Sequence, residues 1–199
     1  GKQDLYDTVV SLAHLANIQY VRQKETRGLG HAVWCAKSFV GSEPFAVLYG
    51  DDVIISEKPA IGQLMAVNEQ YGKSVVGIKP VAAELLPSYC TLDVKQVQDR
   101  VYPSEILSNF AILGRCVLTP DIFELIEQTP PSRNGEIQLT DAMRAFAKRG
   151  DMMGVEYEGV RYDMGNKLGI LQAIVEVGLA HPEIGDGFRE YLKSISKSL

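Results

Sequence analysis

The sequence of 199 residues is poor in cysteine and histidine, with three of each. The cysteines are odd in number, lie far apart and form no CxxC pair, and no histidine stands at zinc-ligand spacing from them. This pattern argues against a disulfide framework and against a zinc site, and it predicts buried, reduced thiols. The residues concerned are Cys35, Cys90 and Cys116, and His14, His31 and His181.

Long apolar runs are also lacking. No stretch approaches the roughly 18 apolar residues of a membrane span, and residues 1–4 (GKQD) do not resemble a signal peptide. Positive charge is in deficit, with 20 Lys and Arg against 25 Asp and Glu and a net charge of -5. The basic residues are scattered, unlike the basic stripe of a nucleic-acid binder. We therefore expect a cytoplasmic protein with neither a membrane nor a nucleic-acid partner.

The composition is that of a folded protein. Hydrophobic residues make up 46% of the sequence and charged residues 23%, away from the polar composition of disordered chains. The length is sufficient to bury one substantial core. We predict a single domain over residues 1–199.

Helical and strand-like patterns alternate in the first part of the sequence. Apolar spacing predicts a helix at 5–15 and a second helix at 30–39. Residues 18–21 and 45–49 have the composition of strands. A fully apolar strand is typical of a sheet covered on both faces, and the order strand, helix, strand implies a parallel βαβ unit. The fold class is predicted to be α/β.

The alternation continues to the end of the sequence. Thr119 as N-cap and Pro120 at the first helical position predict the start of one helix, and residues 168–179 read as a final helix in the core. The other segments predicted are helices at 61–71, 82–86 and 139–146, and strands at 74–79, 89–94, 110–118 and 153–157.

A loop at 23–31 lies between a predicted strand and a predicted helix. Ligands of open α/β sheets bind beyond the carboxyl ends of the strands, where loop amides and helix N-termini converge. Gly28 and Gly30 would let the backbone approach a base or a phosphate closely. A GxG pattern by itself is weak evidence.

Acidic residues stand at two predicted strand ends. Asp51 and Asp52 follow a strand and Gly50, and two like charges at the mouth of a sheet call for a cation or solvent, with Mg²⁺ a natural fit. The alternative is a turn in which an aspartate caps the backbone. Asp163 precedes a helix, so it is either a turn residue or N-cap, or the second carboxylate of a metal pair.

Six stretches together resemble a known family. In this order, along nearly all of the chain, they resemble the bacterial UTP–glucose-1-phosphate uridylyltransferases, within the sugar-nucleotide pyrophosphorylases. The stretches are 20–25 (YVRQKE), 28–32 (GLGHA), 43–52 (EPFAVLYGDD), 108–115 (SNFAILGR), 135–142 (GEIQLTDA) and 162–167 (YDMGNK).

The resemblance implies a fold and an activity. The fold is a three-layer, Rossmann-like nucleotidyltransferase fold with a mixed, mostly parallel central sheet. The activity is transfer of a uridylyl group from UTP to glucose 1-phosphate, which gives UDP-glucose and pyrophosphate. The family commonly assembles as dimers or tetramers, so a homo-oligomer is expected.

Residue roles follow from the same motifs. Gln23 and the backbone of Gly28 would contact the uracil. Asp51 and Asp163 would be the catalytic residues that hold Mg²⁺, with Asp51 also facing the nucleotide and Asp52 as a supporting neighbour. In-line attack of a sugar-phosphate oxygen on the α-phosphorus needs positioning and charge neutralisation but no nucleophilic side chain. The implied sugar pocket consists of Asn109, Gly114, Glu136 and Gln138, each of which also suits a strand, cap or loop.

The sequence departs from the family at three places. It lacks the glycine-rich GxGTR phosphate loop, so the first βαβ unit is expected to be missing. The family's Glu-Lys-Pro motif is not found near 102–108, and Cys90 stands where the family has a glycine beside the sugar. Three explanations remain open: joined segments of a longer enzyme, a truncated enzyme, or a homologue that has lost activity. We favour the first two.

Two other functions compete with uridylyl transfer. One is a non-catalytic or regulatory homologue that binds a nucleotide sugar. The other is a sister enzyme that uses a different base or sugar, such as a thymidylyl or cytidylyl transferase.

Overall fold

The computed structural model describes residues 2–12, 14–81 and 109–198. The predictions for the helix at 82–86, the strand at 89–94, Cys90 and the segment 102–108 lie outside these residues. None of the helices in the described ranges has the length and apolar composition needed to cross a membrane. In chain order the elements are α1 (Gln3–Leu12), α2 (Leu29–Cys35), α3 (Lys37–Val40), β1 (Phe45–Leu48), β2 (Asp52–Ile55), α4 (Ala60–Tyr71), β3 (Ser74–Pro80), β4 (Phe110–Leu118), α5 (Ile122–Gln128), α6 (Leu139–Arg149), β5 (Met152–Glu156), β6 (Val160–Asp163), α7 (Lys167–Ala180) and α8 (Gly185–Ser196).

The apolar strands form a four-stranded sheet in the order β1-β4-β3-β5. Strand β4 runs antiparallel to both of its neighbours, whereas β3 and β5 are parallel. Strands β1, β3 and β5 therefore point in one direction and β4 in the other. The predicted α/β class and mixed sheet are confirmed.

The central strands β3 and β4 are covered on both faces, which explains their unbroken apolar runs, whereas Ala46 and Leu48 of β1 are exposed. Because side chains alternate along a strand, Val76 and Cys116 enter a core with α2, α5 and α6, while Val75 and Val117 enter a core with α4 on the other face. The predicted three layers are confirmed.

The predicted strand at 18–21 is wrong. These residues form no strand, and Ile18, Tyr20 and Val21 are exposed by 63%, 92% and 51%. A strand needs a hydrogen-bonding neighbour, and no strand of the described ranges pairs with this segment. The parallel βαβ unit predicted from 18–21 to β1 is therefore not formed, and β1 pairs with β4.

Three helix predictions change at their ends. The predicted helix at 30–39 forms two short helices that meet at Ala36. Helix α1 ends at Leu12, three residues before the predicted end, and none of its residues is buried. Helix α5 begins at Ile122, because Thr119 O and Pro120 O accept hydrogen bonds in a turn that precedes it.

Helix α7 forms as predicted but does not lie in the core. Its buried residues in the described structure are Gly169 and Ala173, whereas its large apolar side chains face outward. The small residues let the helix backbone approach β6, since a Cβ on Gly169 would collide with Asp163 O. The exposed side chains are Leu168, Leu171, Ile174 and Val177.

Strands β2 and β6 form a second sheet that the sequence did not predict. The two strands are antiparallel, and the recognised acidic residues lie at the start of β2 and at the end of β6. Helix α8 was also not predicted, and it packs against α7 through Phe188, whose ring lies 2.9 Å from the position of a Cβ on Gly178. The small sheet is the part of the fold that positions the candidate site.

Candidate functional site

The acidic residues of the two strand ends lie side by side. Strand β2 begins at Asp52 and β6 ends at Asp163, and the two residues are directly opposite in the antiparallel register. The N–H of Met164 donates to Asp51 O at 2.8 Å, which extends the contact beyond the strands. Residues more than 100 positions apart in the sequence therefore meet at one site.

Asp52 is a buried and paired carboxylate. Its side chain is 5% exposed, and its Oδ1 accepts a hydrogen bond from Arg161 Nε at 2.6 Å. Burial raises the pKa of the Asp52 carboxyl above its ordinary value, Arg161 opposes this shift, and the neighbouring Asp51 and Asp163 add to it. The effect of burial on the pKa of Asp52 is larger than the effect of the ion pair.

Arg115 holds the backbone around Asp52. Its Nη2 donates to Asp52 O at 2.8 Å, and its Nη1 donates to Gly114 O at 2.9 Å and to Tyr49 O at 3.3 Å. Sequence reasoning assigned no role to Arg115 or Arg161. The available signals were that Arg115 ends the recognised stretch 108–115 and that Arg161 stands two residues before Asp163, a carboxylate in need of a counter-charge.

Gly114 makes room for the Asp52 side chain. Its φ is 23°, and a Cβ at this position would overlap the carboxylate of Asp52. Any other residue would displace Asp52 from Arg161. The structure thus gives Gly114 a packing role, while its role in a sugar pocket stays a prediction.

Asp51 and Asp163 border one small space. Asp51 is exposed, and a Cβ on Gly165 would lie 3.9 Å from Asp51 Oδ2 and 2.9 Å from Asp163 Oδ1. The glycine leaves open a space faced by two carboxylates. Carboxylate oxygens suit Mg²⁺, which is often held by one or two of them together with water and substrate phosphates. These two carboxylates therefore fit the predicted ion. A larger group, of three or more His, Cys, Asp or Glu side chains that could hold a metal, is not found among the described residues.

The alternative role of Asp163 as a helix N-cap is not supported. Asn166 is the N-cap of α7, since its Oδ1 accepts from the N–H of Gly169 at 2.7 Å. Asp163 Oδ1 instead accepts from the N–H of Gly165 at 2.8 Å, and its Oδ2 lies 3.5 Å from Arg161 Nη2. The turn and Arg161 therefore orient this carboxylate.

The glycine loop is organised around the amide of Gln23. Its Nε2 lies 3.1 Å from Gly28 O and 3.0 Å from His31 Nδ1. Gly28 has a φ of 88°, and a Cβ there would lie 2.7 Å from the Cβ of Glu136. The N–H of Gly30 donates to Ile137 O at 2.9 Å. The loop is thus fixed against residues 136–137.

Two predicted sugar residues adjoin this loop. Glu136 Oε2 accepts from Gln138 Nε2 at 2.8 Å and from Asn134 Nδ2 at 2.9 Å. Asn109 is exposed, and its backbone O accepts from the N–H of Val81 at 2.9 Å, which places it at the β3–β4 edge. The structure thus groups Glu136 and Gln138 with the glycine loop, and Gly114 with the acidic residues Asp51, Asp52 and Asp163.

The two clusters are connected through one core. Val33 of α2 is buried in the core cluster against which Tyr49 and Ile137 pack. Tyr49 leads into the acidic turn, and Ile137 adjoins the glycine loop. The fold therefore holds the glycine loop and the turn that carries Asp51 against one hydrophobic core.

Comparison with known proteins gives matches across the chain. Residues 3–178 match the family model described as nucleotidyl transferase. A UTP–glucose-1-phosphate uridylyltransferase of Staphylococcus epidermidis is 42% identical over 205 residues, which cover 98% of this chain and 71% of that protein.

Solved structures show the same similarity. A UDP-glucose pyrophosphorylase complexed with UDP-glucose matches with a TM-score of 0.77 and 35% identity, over 86% of this chain and 70% of that chain. A UTP-bound enzyme of the same type from Acinetobacter baumannii matches with a TM-score of 0.81 and 28% identity, over 96% of this chain and 72% of that chain.

Proposed function

The chain belongs to the nucleotidyl transferase family, and we propose that it transfers the uridylyl group of UTP to glucose 1-phosphate, forming UDP-glucose and pyrophosphate. The observation that carries this function is the 42% identity to a uridylyltransferase over 98% of the chain. The paired carboxylates and the glycine loop supply a chemical basis for it, since the reaction needs a held nucleotide and offset phosphate charge.

Asp51 and Asp163 are proposed to hold Mg²⁺. The support is that both carboxylates border the space beside Gly165, while the charge of Asp52 is matched by Arg161. When bound, the ion offsets the phosphate charge that grows as the leaving pyrophosphate departs. The chain's own contribution is to hold two carboxylates at a fixed separation through the β2–β6 register and the hydrogen bond from Met164 to Asp51.

Substrate positioning is proposed for the glycine loop and for the four predicted sugar residues. Gln23 and the backbone of Gly28 are proposed to contact the uracil. Glu136 and Gln138, which lie against the same loop, are proposed to bind the sugar together with Asn109 and Gly114. Side chains in this arrangement orient the sugar phosphate for in-line attack on the α-phosphorus, and no nucleophilic side chain is required.

A pyrophosphate-release assay tests the function. We expect release from UTP with glucose 1-phosphate in the presence of Mg²⁺, and much slower release with CTP or with other sugar 1-phosphates. A preference for another nucleotide or sugar would identify a sister enzyme instead. Binding of UDP-glucose by calorimetry without pyrophosphate release would identify a non-catalytic homologue. A cytoplasmic location, a homo-oligomer and the lack of a nucleic-acid partner remain predictions.

A further inference from the structure

The amide of Gln23 lies in a short hydrogen-bonded network with His31. Gln23 Nε2 is 3.1 Å from Gly28 O and 3.0 Å from His31 Nδ1. On the other side of the imidazole, His31 Nε2 is 3.9 Å from Cys35 Sγ. The ring also stacks on Trp34, with centroids 6.0 Å apart and an angle of 13° between the planes. These contacts hold the imidazole from three sides.

The partners decide which way the Gln23 amide points. A backbone carbonyl only accepts hydrogen bonds, so the amide atom that faces Gly28 O must be the NH₂ group. The second hydrogen of that NH₂ group points at His31 Nδ1, which must then be the unprotonated nitrogen of the imidazole. The proton on Nε2 is directed at the Cys35 sulfur. Both donors of Gln23 are thus used within the protein.

The opposite end of the amide remains available. Among the described residues, Gln23 Oε1 accepts no hydrogen bond, and the side chain is only partly buried. The group presented to a ligand is therefore an acceptor. Uracil carries an N3–H donor, whereas cytosine has an acceptor at N3, so an acceptor of the protein that faces N3 favours uracil and repels cytosine.

We propose that His31 is a positioning residue for base specificity, because it locks the Gln23 amide with Oε1 toward the base. This inference rests on the proposed contact between Gln23 and the uracil. To accept cytosine, the amide would have to rotate by half a turn and direct its oxygen at both Gly28 O and His31 Nδ1. The amide oxygen would then face the acceptor Gly28 O, and His31 would have to move its proton from Nε2 to Nδ1 and lose its contact with the Cys35 sulfur. His31 supplies one of these two barriers, and the backbone of Gly28 supplies the other.

Two substitutions distinguish the role of the His31 Nδ1 acceptor from the role of the aromatic ring. His31→Phe keeps a ring for Trp34 but removes the acceptor. His31→Asn loses the ring but places an amide oxygen near the position of Nδ1. His14→Phe, at an exposed histidine, is the matched control.

Steady-state kinetics with UTP and CTP give the readout. For His31→Phe we expect the KM for UTP to rise about fivefold, the value for one net hydrogen bond, with kcat close to that of the wild type. The UTP-over-CTP preference in kcat/KM should fall by a similar factor. His31→Asn should retain most of the preference, and His14→Phe all of it. In a Gln23→Ala background, His31→Phe should have no further effect on the preference.

Other results would overturn the proposal. An unchanged base preference in His31→Phe, whatever its melting temperature, would show that the ring only stabilises the fold. Equal losses of preference in His31→Phe and His31→Asn, or additive losses in the Gln23→Ala background, would do the same. Wild-type protein that releases no pyrophosphate would overturn the proposed function instead, and calorimetric binding of UTP and CTP to the same variants would then decide the role of His31.

Discussion

Arg161 Nε lies 2.6 Å from Asp52 Oδ1, so one guanidinium holds the carboxylate at the start of β2. The Nη2 of the same arginine is 3.5 Å from Asp163 Oδ2, at the end of β6. The acidic cluster therefore contains its own counter-charge. Asp52 is buried and paired with Arg161, whereas Asp51 is exposed to solvent.

Replacement of Arg161 should destabilise the protein. Arg161→Gln leaves the Asp52 charge buried without its partner, and loss of one member of a buried ion pair typically costs about 3–5 kcal/mol. The double variant Asp52→Asn/Arg161→Gln should recover part of this loss, because neither uncompensated charge remains. Urea unfolding measures both free energies. Arg189→Gln, at an exposed arginine of α8, should change stability little. Equal stabilities of Arg161→Gln and wild type would contradict the structural role.

Substitution of Gly165 tests the space between the carboxylates. In Gly165→Ala the new Cβ lies 2.9 Å from Asp163 Oδ1, so it should push that carboxylate from its position, and it fills the space 3.9 Å from Asp51 Oδ2, so Mg²⁺ binding should weaken. The measurement is the Mg²⁺ concentration that gives half-maximal pyrophosphate release, together with Mg²⁺ binding by calorimetry in the presence of UTP. In Gly187→Ala the new methyl group meets no atom within 4 Å, so metal affinity should be unchanged. A wild-type Mg²⁺ requirement in Gly165→Ala would place the ion elsewhere.

Neutralisation of either proposed ligand should remove most of the activity. Asp51→Asn and Asp163→Asn each delete one of two negative charges, and loss of several kcal/mol of charge stabilisation lowers kcat about 100-fold or more. The UTP-dependent binding of Mg²⁺ should weaken in parallel. Asp151→Asn, at an exposed aspartate outside the site, is the control. If both variants kept wild-type turnover, the metal assignment would be wrong.

The burial of Tyr157 should make the stability of the protein fall at high pH. Its side chain is fully buried and its hydroxyl has no hydrogen-bond partner among the described residues. Burial raises the pKa of Tyr157 to about 12, whereas an unfolded tyrosine ionises near a pKa of about 10. Because only the unfolded state loses this proton between these values, the contribution of Tyr157 to stability is complete below about pH 10 and is lost as the pH rises toward about 12.

The variant Tyr157→Phe tests both consequences. At neutral pH it should stabilise the protein by about 1 kcal/mol, because it removes a buried hydroxyl without a partner. Between about pH 10 and about pH 12, the window set by the unfolded and folded pKa values, its stability should fall less steeply than that of the wild type in urea unfolding. Tyr20→Phe, at a tyrosine that is 92% exposed, should retain the wild-type pH dependence. A destabilised Tyr157→Phe would indicate that the hydroxyl has a partner.

The local pattern of the sequence was sufficient for most of the elements. The apolar run 110–118 was predicted as a strand, and β4 occupies these nine residues. Helices α4 and α6 also form where apolar spacing placed them. Such predictions succeed because side-chain periodicity and turn residues act over a few neighbouring positions. The position of Asp51 and Asp163 at strand ends was recognised in the same way.

Only the tertiary structure decided which residues contact each other and which face of each helix is buried. Asp52 pairs with Asp163 and with Arg161, which are more than 100 residues away in the sequence. The contacts of Gln23 with Gly28 and His31 depend on how the loop between them folds. Hydrophobicity likewise predicted α7 but not its exposed side, since burial depends on which elements pack against a helix. The sequence thus determined which residues are candidates for the site, and the tertiary structure decided which of them lie together and which hold the others in place.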